Sequence, residues 1–148
     1  CFNKGNIKGV SFVGGIIGYG VSAPKIRDCY NTGIISLQTT TTVNKNVGGI
    51  AGYLNTGFIQ NSYNAGSIST TLTSTTGAGA ISGKTSSLIS NCYFLSGTIA
   101  NTNNNEVELT ETIMKNTSTV NLLNNGRTPL LWKTDDLNLN NGYPILNN

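Results

Sequence analysis

Val47-Gly48-Gly49-Ile50-Ala51-Gly52-Tyr53, followed by Ile59-Gln60-Asn61-Ser62-Tyr63-Asn64-Ala65-Gly66-Ser67-Ile68, is a text that the chain writes repeatedly. Upstream the same text reads Val13-Gly14-Gly15-Ile16-Ile17-Gly18-Tyr19, then Ile26-Arg27-Asp28-Cys29-Tyr30-Asn31-Thr32-Gly33-Ile34-Ile35. Downstream it reads Ala78-Gly79-Ala80-Ile81-Ser82-Gly83-Lys84, then Ile89-Ser90-Asn91-Cys92-Tyr93. The Ile of the first half falls at Ile16, Ile50 and Ile81, and a small residue of the second half at Cys1, Cys29, Ser62 and Cys92. A period of about 30 residues, varying by a few, signals a repeat architecture with fixed elements and elastic loops.

Aligned on that period, the chain shows further columns: aromatics at Phe2, Tyr30, Tyr63 and Tyr93, Gly at Gly5, Gly33, Gly66 and Gly97, and Ile at Ile7, Ile35, Ile68 and Ile99. Each half-unit is too short and too rich in Gly for a helix, and its apolar residues do not recur at helical spacing. Short strands are expected. One such unit cannot bury its apolar face, but stacked units put Ile on Ile and Cys on Cys. The predicted fold is all-β, a parallel β-solenoid (β-helix) of about three to four coils over residues 1–105, with units near 1–19, 20–53, 54–84 and 85–105. Gly33 and Gly66 are expected to round corners at positive φ, and the Gly14-Gly15 and Gly48-Gly49 pairs to admit close backbone approach. Asp28, Asn61 and Asn91 form a polar column that suits a side-chain ladder.

Two Thr-rich insertions, Ser36 to Asn46 and Ser69 to Gly77, leave successive units at the same point and are expected to project from one edge. Loops on one face of an array commonly carry its binding function, and hydroxyl and amide groups suit a glycan or a peptide strand. The candidate ligand fringe is Gln38, Thr39, Thr40, Thr41 and Thr42 with Thr70, Thr71, Thr73 and Thr75; solvated loops without a partner are the alternative. After Ile99 the repeat stops. Residues 106–148 contain a short helix that Thr110 would cap, a second capped by Thr117 or Ser118 and stopped at Asn125-Gly126, the β-like pieces Leu130-Leu131-Trp132 and Tyr143-Pro144-Ile145-Leu146, and the only Trp. An array end exposes an edge and an open core, so this segment is read as a small helix-containing C-terminal cap.

The pattern Val-Gly-Gly-Ile-x-Gly-Tyr followed by x-Ile-x-Asn-Cys-Tyr-Asn-x-Gly resembles the GLUG repeat of multidomain bacterial surface and secreted proteins, including immunoglobulin A1 proteases, where it lies outside the catalytic part. Trp132-Lys133-Thr134-Asp135-Asp136 with Asn140-Asn141-Gly142-Tyr143-Pro144-Ile145-Leu146 is similar to the segment that often closes such arrays. The resemblance covers nearly the whole chain and implies a non-catalytic structural or adhesive module, a stalk or binding region, at the bacterial cell surface or outside the cell. It implies host glycan or protein and upstream repeats of a parent chain as partners, and no catalytic or ligand residues to carry over. The third unit departs from the pattern, lacking the Val and the Tyr, so local irregularity is expected there.

Composition agrees with a non-enzymatic role. There is no His among 148 residues, so Ser-His and Cys-His pairs and imidazole metal sites are absent from the chain. A carbohydrate-active β-helix enzyme or a glycan-binding module is the alternative; the former would use paired carboxylates. Of the six acids, Asp28, Glu106, Glu108, Glu111, Asp135 and Asp136, only Asp28 lies in the repeats. Glu106 with Glu108, and Asp135 with Asp136, could hold Ca²⁺ through oxygen ligands, but no spacing motif supports it, and no metal or cofactor is expected. The three Cys read as an internal stack of small residues with Ser62 in the fourth place; a Cys1–Cys29 bridge or metal binding are the alternatives. A net charge of +3 spread along the chain does not make a nucleic-acid footprint, and no apolar run is long enough to insert in a membrane. The chain opens on Cys1 partway into a repeat, which suggests a piece of something longer.

Overall fold

The structure, a computed structural model, describes residues 1–38, 44–72, 77–85, 88–99 and 105–147. The repeated text forms short strands, and equivalent residues of successive repeats lie side by side in parallel pairs. In the largest sheet β1 (Phe2–Asn3), β6 (Tyr30–Asn31), β10 (Phe58–Asn64), β14 (Leu88–Leu95) and β15 (Val107–Leu109) follow one another, with β5 (Lys25–Arg27) beside the first half of β10. Three smaller sheets each take one strand per repeat. They are β2 (Ile7–Gly9), β7 (Ile35–Leu37) and β11 (Ile68–Ser69); β3 (Phe12–Gly14), β8 (Asn46–Gly48) and β12 (Ala78–Gly79); and β4 (Ile17–Gly20), β9 (Ala51–Leu54) and β13 (Ser82–Thr85).

The register follows the sequence columns. Phe2 faces Tyr30, Tyr30 faces Tyr63, and Tyr63 faces Tyr93; Val13, Val47 and Ala78 form another row, and Tyr19, Tyr53 and Lys84 a third. The chain is thus dominated by strands in parallel sheets, with two short helices, as the repeat predicts at that level. The third repeat lacks the Val and Tyr of the others and still pairs in register through Ala78, Ser82 and Lys84. Backbone hydrogen bonds to Gly48 and Ala51's neighbours do not need those side chains, which is why their loss is tolerated.

Alternation places Ile26, Ile59 and Ile89 inward, packed with Ile50, Ile81, Leu54, Cys29, Cys92 and Phe94. A second buried cluster joins Val13, Ile35, Leu37, Val47, Leu72 and Ala78. Each Ile buried in these rows contributes about 2 kcal/mol of transfer free energy.

Two expectations about corners are corrected. Gly33 and Gly66 do not have positive φ; that conformation is taken by Asp28, Asn61 and Asn91, at φ 54°, 49° and 48°. The glycines are required by close stacking, since a Cβ on Gly33 would overlap the carbonyl oxygen of Gly5, and one on Gly66 that of Gly33. Asp and Asn tolerate the left-handed region because their short polar side chains bond locally.

The better developed side-chain ladder is also not the expected one. Asn91 Nδ2 donates to Asn61 Oδ1 at 3.2 Å, but Asp28 turns elsewhere. A second Asn column, after the aromatics, runs through the first three repeats: Asn3 Nδ2 donates to Asn31 Oδ1 and Asn31 Nδ2 to Asn64 Oδ1, each at 2.7 Å. Each of these amides also donates to the carbonyl two residues on, at Gly5, Gly33 and Gly66. This explains why Asn-x-Gly recurs as a unit.

In the tail, Thr110 caps α1 (Glu111–Met114) as expected, its side chain accepting from the Ile113 amide. The second helix, α2 (Thr117–Asn124), is capped by Asn116, whose backbone is extended and whose Oδ1 accepts from Ser118 N at 3.0 Å, so Thr117 and Ser118 lie inside it. Asn125, left-handed at φ 50°, ends the helix. The β-like pieces pair antiparallel as β16 (Trp132–Lys133) and β17 (Ile145–Leu146).

Most of this segment lies along the flank of the repeats rather than across their end. Trp132 is fully buried, its ring tilted over Tyr30 and Tyr63 at centroid distances of 5.9 and 5.6 Å, in a cluster with Tyr93, Met114, Val120, Leu123 and Tyr143. Lys4 Nζ in the first repeat donates to the Leu139 carbonyl at 2.7 Å. The part that continues past the last repeat is β15 with Glu106. Within the repeats, Ile16 N donates to Ile50 O and Ile50 N to Ile81 O, each at 2.9 Å; Ile81 N, next in the row, donates to the Glu106 carboxylate Oε2 at the same 2.9 Å. A side-chain oxygen stands where a further repeat would supply a carbonyl.

Candidate functional site

The expected ligand fringe is described at its roots. Gln38 is exposed, its amide donating to the Gly9 carbonyl at 2.8 Å. Thr70 is half-buried and its Oγ1 accepts from Leu72 N at 3.1 Å, while Thr71 is exposed. Leu37 and Leu72 pack into one cluster, so both insertions leave from an apolar anchor on the same side. Thr39, Thr40, Thr41, Thr42, Thr73 and Thr75 lie outside the described residues.

Asp28 is not poised over open space. Arg127 grips it with two hydrogen bonds, and Trp132 Nε1 donates to its Oδ1 at 3.3 Å. With one oxygen engaged by two donors and the other by a third, it acts as a docking point for the tail. Asp135 accepts backbone N–H bonds from Leu139, Asn140 and Gly142 at 2.7, 2.6 and 3.0 Å. Burial works to raise its pKa, but those three bonds together outweigh it and hold the carboxyl below its ordinary value. Its role is to fix a loop. Among the described residues, no three or more Cys, Asp or Glu side chains gather in a way that would hold a metal ion.

All three thiols are free. Cys29 and Cys92 are buried in the core, whereas Cys1, expected to share that shelter, is exposed beside β1, the edge strand of its sheet among the described residues. Burial pushes the Cys92 thiol up to about 12 and raises Cys29, so neither is a thiolate nucleophile near neutral pH. Ser62 fills the column between them, accepting from Cys29 N at 3.1 Å and donating to Gln60 O at 2.8 Å.

Two further groupings are not marked by the repeat columns. On the flank, Tyr63 Oη donates to the Pro144 carbonyl at 2.7 Å and accepts from Asn140 Nδ2 at 2.8 Å, which ties the middle repeat to the tail. On the opposite type of surface, outside every buried cluster, Phe12, Tyr19 and Tyr53 gather three rings. Phe12 and Tyr19 stack at 4.9 Å, Tyr19 and Tyr53 at 5.2 Å, and Phe12 lies 6.0 Å from Tyr53. Lys84 Nζ sits 5.9 Å from the Tyr53 centroid, and Tyr53 Oη is 3.2 Å from Asn55 Oδ1. The signal was in the sequence, since Tyr19 and Tyr53 occupy the same motif position, but the contribution of Phe12 required the sheets to be placed.

No protein-family model, curated protein or solved structure matches the chain.

Proposed function

We propose that the chain is a β-solenoid repeat module of the GLUG type, a non-catalytic stalk or binding region of a bacterial cell-surface or secreted protein. The observation that carries this reading is the pairing of equivalent residues of successive repeats in register in four parallel sheets. Such an assembly grows by repetition and holds its surface rows at fixed spacing, which suits a spacer or a docking rod. The chemistry of the repeats favours the same view. Their one acid, Asp28, is spent on Arg127 and Trp132, which leaves no carboxylate pair for glycoside chemistry, and the buried thiols are protonated near neutral pH.

The test is to duplicate one repeat. A chain in which residues 20–53 are written twice in tandem should fold cooperatively and lengthen along the stacking direction by about 4.8 Å, the spacing between paired strands, as read by small-angle scattering. Loss of cooperative unfolding, or an increase in girth instead of length, overturns the solenoid reading. Protease shaving of intact bacterial cells that produce the parent protein tests its location: fragments of this module should be released from outside.

A further inference from the structure

We infer that Phe12, Tyr19, Tyr53, Asn55 and Lys84 form a binding site for an acidic saccharide. This rests on the reading of the chain as a binding module and names the ligand class that one surface of it would take.

The rings come from three strands, β3, β4 and β9, and Lys84 from β13, so the site is assembled by the repeat and not by one loop. The three centroids form a triangle with sides of 4.9, 5.2 and 6.0 Å, not a column. The rings lie within 30° of parallel and do not bury one another fully, since Phe12 and Tyr53 are half-buried and Tyr19 is exposed. Tyr19 is 49% exposed. None of the rings joins a core cluster, so their clustering is not explained by folding of the interior. The axial C–H bonds of a pyranose are weakly positive and pack on the negative face of an aromatic ring, which water does poorly.

Polar groups border the rings. The Tyr53 hydroxyl donates to Asn55 Oδ1, and Asn55 is exposed, so its amide N–H₂ is left as a donor suited to sugar hydroxyls. Lys84 is exposed, its ammonium lies over the Tyr53 ring, and it forms no ion pair among the described residues, so it can meet a carboxylate. The net charge of the repeats agrees. Residues 1–105 carry Lys4, Lys8, Lys25, Arg27, Lys45 and Lys84 against one acid, Asp28, which Arg127 of the tail already neutralises. A cationic array with an aromatic patch complements a sugar bearing a carboxylate better than a neutral one.

Saturation-transfer NMR on the intact chain tests this with tri-galacturonate and sialyllactose, and lactose as the neutral control. Saturation of the protein's aromatic protons should reach ring protons of both acidic sugars and far less those of lactose. Tyr53→Ala and Tyr19→Ser should each remove the transfer, and Lys84→Gln should weaken tri-galacturonate binding about tenfold and flatten its salt dependence. Thermal melting of each variant confirms that the fold persists, and the exposed Tyr19→Ser change serves if Tyr53→Ala does not fold. Absence of transfer to either acidic sugar, transfer that survives both Tyr variants, or hexaglutamate binding at this site in place of the sugars overturns the proposal. Those failures leave the repeat-duplication result unaffected, so the two readings fall separately.

Discussion

Arg127 holds Asp28 across 99 residues of chain, Nη1 to Oδ2 at 2.9 Å and Nη2 to Oδ1 at 2.7 Å, and the same guanidinium donates from Nε to Asn124 O and from Nη2 to Leu123 O. One side chain therefore closes the end of α2 and fastens it to the first complete repeat. Asp28 occupies a column whose other members are Asn61 and Asn91, all three left-handed. Asp28→Asn keeps the backbone preference and removes only the charge. It should cost about 1–2 kcal/mol, because both partners are partly exposed and the pair is screened. Urea unfolding will show it, and the gap between wild type and variant should narrow in 1 M salt.

Asn31 is fully buried, accepts from Asn3 and donates to both Asn64 and the Gly33 carbonyl. Asn31→Ala leaves buried partners unsatisfied and should cost about 2–4 kcal/mol. Asn31→Asp should be worse, since it removes the donors and sets a carboxylate against the Asn64 oxygen. Thermal melting gives the order; equal midpoints for the two variants would remove the ladder from the account.

Gly66 and Gly97 separate steric from conformational demand. At Gly66 a Cβ would meet the Gly33 carbonyl oxygen, while at Gly97, with φ 82°, nothing lies within 4 Å. Gly97→Ala should cost about 1 kcal/mol, the strain of a left-handed L-residue. Gly66→Ala should cost well above that, because two backbones must part. Denaturant midpoints of the two variants provide the comparison.

Thiol chemistry and pH response follow from burial. At pH 8 a thiol reagent should label Cys1 quickly and Cys29 and Cys92 only on denaturation. Burial raises the pKa of Cys92 from 9.0 to about 12, raises that of Cys29, and lifts Tyr63 well above 10.0. The folded state therefore keeps protons that the unfolded chain gives up. Stability from these groups is complete below about pH 9 and is lost as pH rises from there toward 12, and urea midpoints should fall across that interval.

The repeat register was legible because it is written three times: any one of Ile16, Ile50 and Ile81 predicts the position of the others. The reason for particular residues was less so. The motif points to positive φ at Gly33, yet Asp28, Asn61 and Asn91 adopt it, because Gly serves both positive φ and close approach and a sequence does not distinguish them. Cys1 follows its column in text but stands beside the edge strand β1 among the described residues, where the same column position is exposed. The tail's place was not readable at all. Its anchors, Arg127 and Trp132 on Asp28 and Asn140 on Tyr63, are single contacts between unlike residues 77 to 104 positions apart, with no second instance to reveal them.

The carboxylate of Glu106 at the Ile81 amide gives the stack a direction of growth. A peptide carbonyl that accepts a hydrogen bond comes with its own N–H to pass the pattern onward, but a carboxylate accepts and offers nothing in return. A strand from another molecule arriving at that point would meet an oxygen already engaged by Ile81 N and would find no donor in line with the row. At this row the last backbone donor is satisfied by a side chain instead of being left open, which removes one of the unpaired groups through which parallel strands join edge to edge.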